Sequence, residues 1–130
     1  MSDALPNHVQ QFLRANIQSI AQLELLLLLY SDRTKAWSVA NAAKNQYTAA
    51  NMTQSGSETL RSSGLVGIVE EGETLYQYQP TSEKLDQLVG ELAQLYSERR
   101  VSIVNAIYSS PLDSLQSFAD AFRIRKKENE

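Results

Sequence analysis

Apolar residues at Val9, Phe12, Leu13, Ile17 and Ile20 recur at spacings of three and four, the mark of one helical stripe. Pro6 ahead of them suits a first helical turn. The polar stretch Asn16 to Ser19 is expected to break the stripe. Ser19 with Gln22 three residues on reads as a capping box that opens a second helix, Ile20 to Ser31. That helix carries Leu23 and the run Leu25 to Leu29, so it is apolar nearly all round, and such a helix is buried on most sides. It is the expected central post of the core.

Polarity returns at Ser31-Asp32-Arg33-Thr34. Trp37 then precedes Ser38, a good helix N-cap, and Val39, Ala40, Ala42 and Ala43 predict a short helix of small residues to about Gln46. Tyr47-Thr48 reads as a turn, with Thr48 a second N-cap candidate and a third helix from about Ala49 to Ser63. Met52 and Leu60 are its expected inward positions, and Gly64 stands where a helix end favours a left-handed residue. The period then changes. Leu65, Val66, Ile68 and Val69 predict a strand, Glu71-Gly72-Glu73 a turn, and Thr74 to Gln79 a second strand ended by Pro80. Two strands joined by a tight glycine turn make a hairpin.

Beyond Ser82 a long helix is predicted, to about Tyr108. Leu85, Val89, Leu92, Tyr96, Arg99, Ile103 and Ala106 fall on one stripe, widened by Leu88, Leu95 and Ile107. It would be on the order of 40 Å long. Arg99 in that stripe either snorkels at an edge or pairs with Glu98 or Asp120. Ser110-Pro111 stops the helix and starts another, with Leu112, Leu115, Phe118, Ala119 and Phe122 as its apolar face. Arg123, Arg125, Lys126 and Lys127 follow; basic residues there complement a helix dipole, or grip an anionic surface.

The order helix, helix, turn, helix, strand, turn, strand is that of a winged helix-turn-helix. The string Arg61-Ser62-Ser63-Gly64-Leu65-Val66, followed by an acidic hairpin, resembles the junction between recognition helix and wing in bacterial winged-helix regulators. Leu25 to Leu29 followed by Trp37-Ser38 resembles the lead-in helix and motif start of the same proteins. The stretch from Glu98-Arg99-Arg100-Val101 through Ile107-Tyr108-Ser109 to Phe118-Ala119-Asp120-Ala121-Phe122 resembles a bacterial family of uncharacterised small winged-helix proteins. The resemblance runs from about Ser19 to Lys127. It implies a mostly α fold with a small β-hairpin and long C-terminal helices, and it admits DNA binders and protein-interaction modules alike. The expected division is an N-terminal helical segment over 1–18, the winged helix-turn-helix over 19–80, and C-terminal helices over 81–130 serving as a dimerisation arm.

In the DNA-binding reading, the helix Ala49 to Ser63 offers Asn51, Gln54, Ser55, Glu58 and Arg61 to a major groove, where Asn and Gln pair with adenine and Arg with guanine. Lys44, Arg33 and Lys35 are the candidate phosphate contacts. Leu85, Val89, Leu92, Tyr96, Ile103, Phe118 and Phe122 are the candidate homodimer contacts, beside the plainer reading that this stripe packs on the chain's own first helices. The bulk charge opposes a DNA reading. The 130 residues net −3. Between Arg33 and Pro80 the positives Arg33, Lys35, Lys44 and Arg61 balance Glu58, Glu70, Glu71 and Glu73, and three of those acids sit on the wing. DNA binders ordinarily present a basic face. The alternative is therefore an adaptor that binds protein and not DNA.

Catalysis finds no support. There is no cysteine, and His8 is the single histidine, so thiolate chemistry, disulfides and a histidine triad have no residues to use. A metal site needs clustered ligands, and the carboxylates Glu70-Glu71 are expected on opposite faces of a strand, where they cannot converge. Trp37 and Tyr47, flanking the small helix, are expected in the core. No cofactor or metal is called for. The longest apolar run, Leu25 to Tyr30, is far below the roughly 20 residues of a membrane span, and residues 1–16 lack a charged region followed by an apolar run, so a cytoplasmic protein is expected.

Overall fold

A computed structural model describes residues 5–108. The predicted helix from Pro111, with Phe118 and Phe122, and the basic run Arg123 to Lys127 lie outside the described residues.

Helix α1 (Asn7–Asn16) buries Val9, Phe12 and Leu13. Pro6 is its N-cap, with its carbonyl accepting from the Val9 and Gln10 amides, both at 3.0 Å. The chain turns through Ile17 to Ser19, and α2 (Ile20–Ser31) leaves at 107° to α1. Ser19 Oγ accepts from the Gln22 amide at 3.1 Å. The reciprocal bond of a capping box is displaced: the buried Gln22 side chain accepts from the Gln18 amide (2.9 Å) and donates to the Asn16 carbonyl (2.8 Å), closing the corner between the two helices. Leu23, Leu25, Leu26 and Leu29 are buried, and α2 touches α3, α4, α5 and β3, as its all-round apolarity requires.

Ser38 caps α3 (Val39–Gln46), accepting from the Asn41 amide at 3.1 Å. With Trp37 it also forms a short strand, β1 (Trp37–Ser38), which the sequence reading did not anticipate. Two residues are too few to show a period. Helix α4 (Ala50–Ser62) follows the turn, capped by Ala49; Thr48 instead donates its hydroxyl to the Gln46 carbonyl at 3.2 Å, so it is not the N-cap expected. The inward face of α4 is Thr53, Ser57 and Leu60. Met52 was expected inside and is 56% exposed. The reason is close helix packing: a Cβ placed on Gly56 would stand 3.2 Å from Leu25 Cδ2, so small residues on this face let α4 lie against α2.

Gly64 has φ +80, as its place after α4 predicts. Strands β2 (Val66–Glu70) and β3 (Thr74–Tyr78) pair antiparallel, with Val66 opposite Tyr78 and Glu70 opposite Thr74. The sheet order is β1-β3-β2, with Trp37 opposite Tyr76. Ser82 caps α5 (Glu83–Glu98) through the Leu85 amide at 3.1 Å. The single long helix does not persist. Arg99 has φ −135 and ψ 55, and α6 (Arg100–Tyr108) folds back onto α1, burying Ile103 and Ile107. No proline or glycine sits at the break, so tertiary packing makes it. Glu24 of α2 clamps both sides, accepting from Tyr96 Oη at 2.9 Å and from Arg100 Nη2 at 3.5 Å. Tyr108 Oη accepts the Ile20 amide (3.2 Å), which the start of α2 leaves without an intrahelical partner.

Candidate nucleic-acid interface

The turn between α3 and α4 is a left-handed helix end. Tyr47 has φ 56 and ψ 44; its amide bonds to the Lys44 carbonyl at 3.3 Å, and the Thr48 amide bonds to the Ala43 carbonyl at 2.9 Å. These are the two bonds of a Schellman motif, with tyrosine where glycine is usual. The motif fixes where α4 starts and leaves the Tyr47 ring 96% exposed. That corrects the expectation that Tyr47 packs in the core; Trp37 does pack there.

On α4, Asn51 and Ser55 lie one turn apart and are exposed, as are Tyr47 in the turn and Lys44 in the last turn of α3. Gln54, Glu58 and Arg61 lie on a different flank and are engaged. Tyr76 of β3, buried, donates its hydroxyl to Glu58 Oε2 and accepts from Gln54 Nε2 at 3.0 Å. Arg61 Nη1 stands 3.5 Å from Glu58 Oε1. Burial, then the hydrogen bond to Glu58, holds the Tyr76 phenol above its ordinary range. Helix α4 is thereby fastened to the wing through one tyrosine, whose sequence position marks it only as a strand former.

Arg33 and Lys35 are elsewhere. Arg33 Nη2 bonds Asp86 Oδ2 of α5 at 2.8 Å, and its guanidinium lies over the Tyr78 and Tyr30 rings at 5.0 and 5.7 Å. Tyr78 donates to Asp86 Oδ1 at 2.7 Å. The hydrogen bond from Arg33, then that from Tyr78, holds the Asp86 carboxyl below the usual carboxylate range; burial, then Asp86, holds the Tyr78 phenol above its own. This knot ties α2 and the base of the wing to α5. Lys35 Nζ sits 3.9 Å from the centroid of the Trp37 ring. Of the four cations between Arg33 and Pro80, Lys44 alone has neither an ion pair nor an aromatic ring against it among the described residues.

The wing tip is acidic, with Glu70, Glu71 and Glu73 exposed; the Thr74 hydroxyl donates to Glu70 across the turn at 3.3 Å. A groove of about 470 Å³ runs beside α4, lined by neutral side chains that include Gln18, Gln46, Asn51, Met52 and Thr59. Among the described residues no group of three His, Cys, Asp or Glu could hold a metal ion. Between Arg33 and Pro80 the arrangement offers, among the described residues, neutral hydrogen-bonding groups and the unengaged cation Lys44.

The candidate dimer contacts divide. Val89, Leu92 and Ile103 are fully buried in the chain's own core, with no surface to offer a partner; the sequence stripe was spent on α1 and α2. Leu85 and Tyr96 are partly buried against that core. Among the described residues, the large apolar residues left exposed on α5 and α6 are Val101 and Tyr108, two turns apart on α6. No helix among the described residues is long and apolar enough to cross a membrane.

No protein-family model and no curated protein sequence matches the chain. Solved structures do. One is the homodimeric winged helix-turn-helix DNA-binding domain of Mb0332 from Mycobacterium bovis, a possible ArsR-family transcriptional regulator: 18% identity, 76% of this chain and 93% of that one, TM-score 0.53. Another is a variant of MepR from S. aureus bound to an oligodeoxyribonucleotide, with 13% identity, 93% and 90% coverage and TM-score 0.51. A third is Bordetella bronchiseptica BpsR, whose DNA binding is regulated by 6-hydroxynicotinic acid, with 17% identity, 95% and 90% coverage and TM-score 0.52. The chain therefore has the winged helix-turn-helix fold, with α3 and α4 as the helix-turn-helix and β2–β3 as the wing.

Proposed function

We propose that the chain is a non-catalytic transcription regulator that binds duplex DNA as a homodimer. The observation that carries the reading is the exposure of Lys44 in the last turn of α3 and of Asn51 and Ser55 on α4, in a helix-turn-helix followed by a two-stranded wing. In this geometry a recognition helix reads base edges while neighbouring groups hold phosphates. Asn51 and Ser55 are assigned to bases and Lys44 to a phosphate. Gln54 and Arg61 join them only after leaving Tyr76 and Glu58. Arg33 and Lys35 serve structure. The fold's DNA-binding neighbours support the same reading. Division of labour follows: 19–80 binds, and 81–130, with Val101 and Tyr108 outward on α6, joins a second copy. Such a regulator works in the cytoplasm.

The test is a titration of mixed genomic fragments near 50 mM salt, where phosphate contacts are strong. Saturable binding supports the proposal; none at micromolar protein removes it. The acidic wing tip favours a second reading in that event, a winged-helix module that docks on a protein. Light scattering addresses the dimer separately: a monomer mass at micromolar concentration eliminates it.

A further inference from the structure

We infer that Tyr47 is a phosphate-backbone contact, holding DNA through an uncharged hydrogen bond. The inference rests on the DNA-binding reading and names a residue within it. Tyr47 carries two costs inside the isolated domain. Its backbone is left-handed at φ 56, a conformation that disfavours any side chain with a Cβ. Its ring is 96% exposed and buries almost nothing. Glycine would meet the Schellman geometry without the first cost and without leaving an aromatic ring in water. The residue is therefore unexplained by the fold.

Its position supplies an explanation. Tyr47 is three residues ahead of α4 and three past Lys44, so it stands at the corner where a helix-turn-helix meets the duplex backbone. A phenol donates one hydrogen bond to a phosphate oxygen, and its ring can lie against a sugar. The charge on this face makes such a contact worth having. Arg33, Lys35 and Arg61 are engaged by Asp86, Trp37 and Glu58 respectively, so this face would meet phosphates largely through neutral donors.

A neutral contact has a signature. A lysine bound to a phosphate releases a counterion and contributes about 0.9 to the slope of log affinity against log salt; a tyrosine releases none. The probe is a mixed-sequence duplex about three helical turns long, since a backbone contact needs no operator. Wild type, Tyr47→Gly, Tyr47→Phe and Lys44→Ala are titrated between about 50 and 200 mM salt. The Gly and Phe variants are expected to bind roughly five- to tenfold more weakly at every salt, with the wild-type slope. Lys44→Ala is expected to flatten the slope by about one. Tyr47→Gly is expected to melt at or above the wild-type temperature. Wild type that binds no duplex overturns the regulator reading and this inference together. Wild type that binds, with Gly or Phe variants equally tight or altered in slope, overturns the inference alone. So does a Tyr47→Gly melting point more than about 3 °C below wild type, which would give the ring a role in the fold.

Discussion

Replacing Tyr76 by Phe isolates the hydroxyl that joins α4 to the wing. Phenylalanine has the same ring, so the core around β3 keeps its volume and no cavity opens. What is lost is the hydrogen bond to Glu58 and the one from Gln54 at 3.0 Å. A bond to a charged group is worth about 1.5–3 kcal/mol when buried, and a neutral one about 1 kcal/mol. Both partners reach solvent, however: the Glu58 side chain is 45% exposed. Water takes up the freed carboxylate and amide, which brings the net loss to roughly 1–2 kcal/mol. An unfolding entropy of about 2.1 cal/mol/K per residue makes this a fall of about 4–7 °C in Tm for a chain of 130 residues. Calorimetry reads the Tm, and a double-mutant cycle with Glu58→Ala reads the coupling. A coupling below about 0.3 kcal/mol is indistinguishable from additivity and would refute the claim that this pair binds α4 to the sheet.

Leu60→Ala removes the large apolar side chain on the inward face of α4 and is expected to cost about 2–5 kcal/mol, whereas Met52→Ala should stay within about 0.5 kcal/mol of wild type; the reverse order in urea melts would put the α4 face wrong. Under the DNA-binding proposal, Glu58→Gln removes a negative charge from α4 and should tighten nonspecific DNA binding several-fold at low salt, with the gain fading at high salt as screening sets in; wild-type affinity at low salt would contradict it. Asp86 has a folded pKa below its unfolded value, so its contribution is present above about pH 4 and is lost as pH falls through the lower, folded value. Tyr78 has the opposite shift, so its contribution is present below about pH 10 and fades above it. The stability gap between wild type and Asp86→Asn should therefore narrow on acidification from pH 7 to 3, and a gap that stays constant in denaturant titrations would sever the link to Arg33.

Much of this fold could be read from local chemistry. Ser19, Ser38 and Ser82 cap helices, Gly64 ends α4, and Gly72 turns the wing at φ +80, because each of these roles is settled by a residue and its near neighbours. The failures share a cause at longer range. The stripe from Leu85 to Ile107 is unbroken in sequence, and only the pull of α1 on Ile103 and Ile107 bends it at Arg99. Thr53, Gly56 and Ser57 look like a solvated face, yet their small size is what admits α4 to Leu25. The exposure of Lys44, Asn51 and Ser55 could be read from helix register. The partners of Arg33 and Lys35, Asp86 and the Trp37 ring, could not be read from the sequence because they depend on the folded chain.

The charge layout makes a quantitative demand on any DNA complex. With Lys44 as the one unengaged cation between Arg33 and Pro80 among the described residues, a dimer would neutralise about two phosphates there, for a salt slope near −2. Proteins making six to ten phosphate contacts have slopes several times steeper. The rest of the affinity must come from uncharged groups, which is the part given to Tyr47, Asn51 and Ser55, or from cations further along the sequence. Arg123, Arg125, Lys126 and Lys127 are such cations. Truncation after Phe122 separates the two sources. If the helix-turn-helix face supplies the contacts, the slope of the truncated chain stays near −2 and its affinity is little changed. A full-length slope of −6 that collapses on truncation would instead assign the phosphates to the C-terminal run. The neutral face would then position the protein on DNA without supplying most of its binding energy.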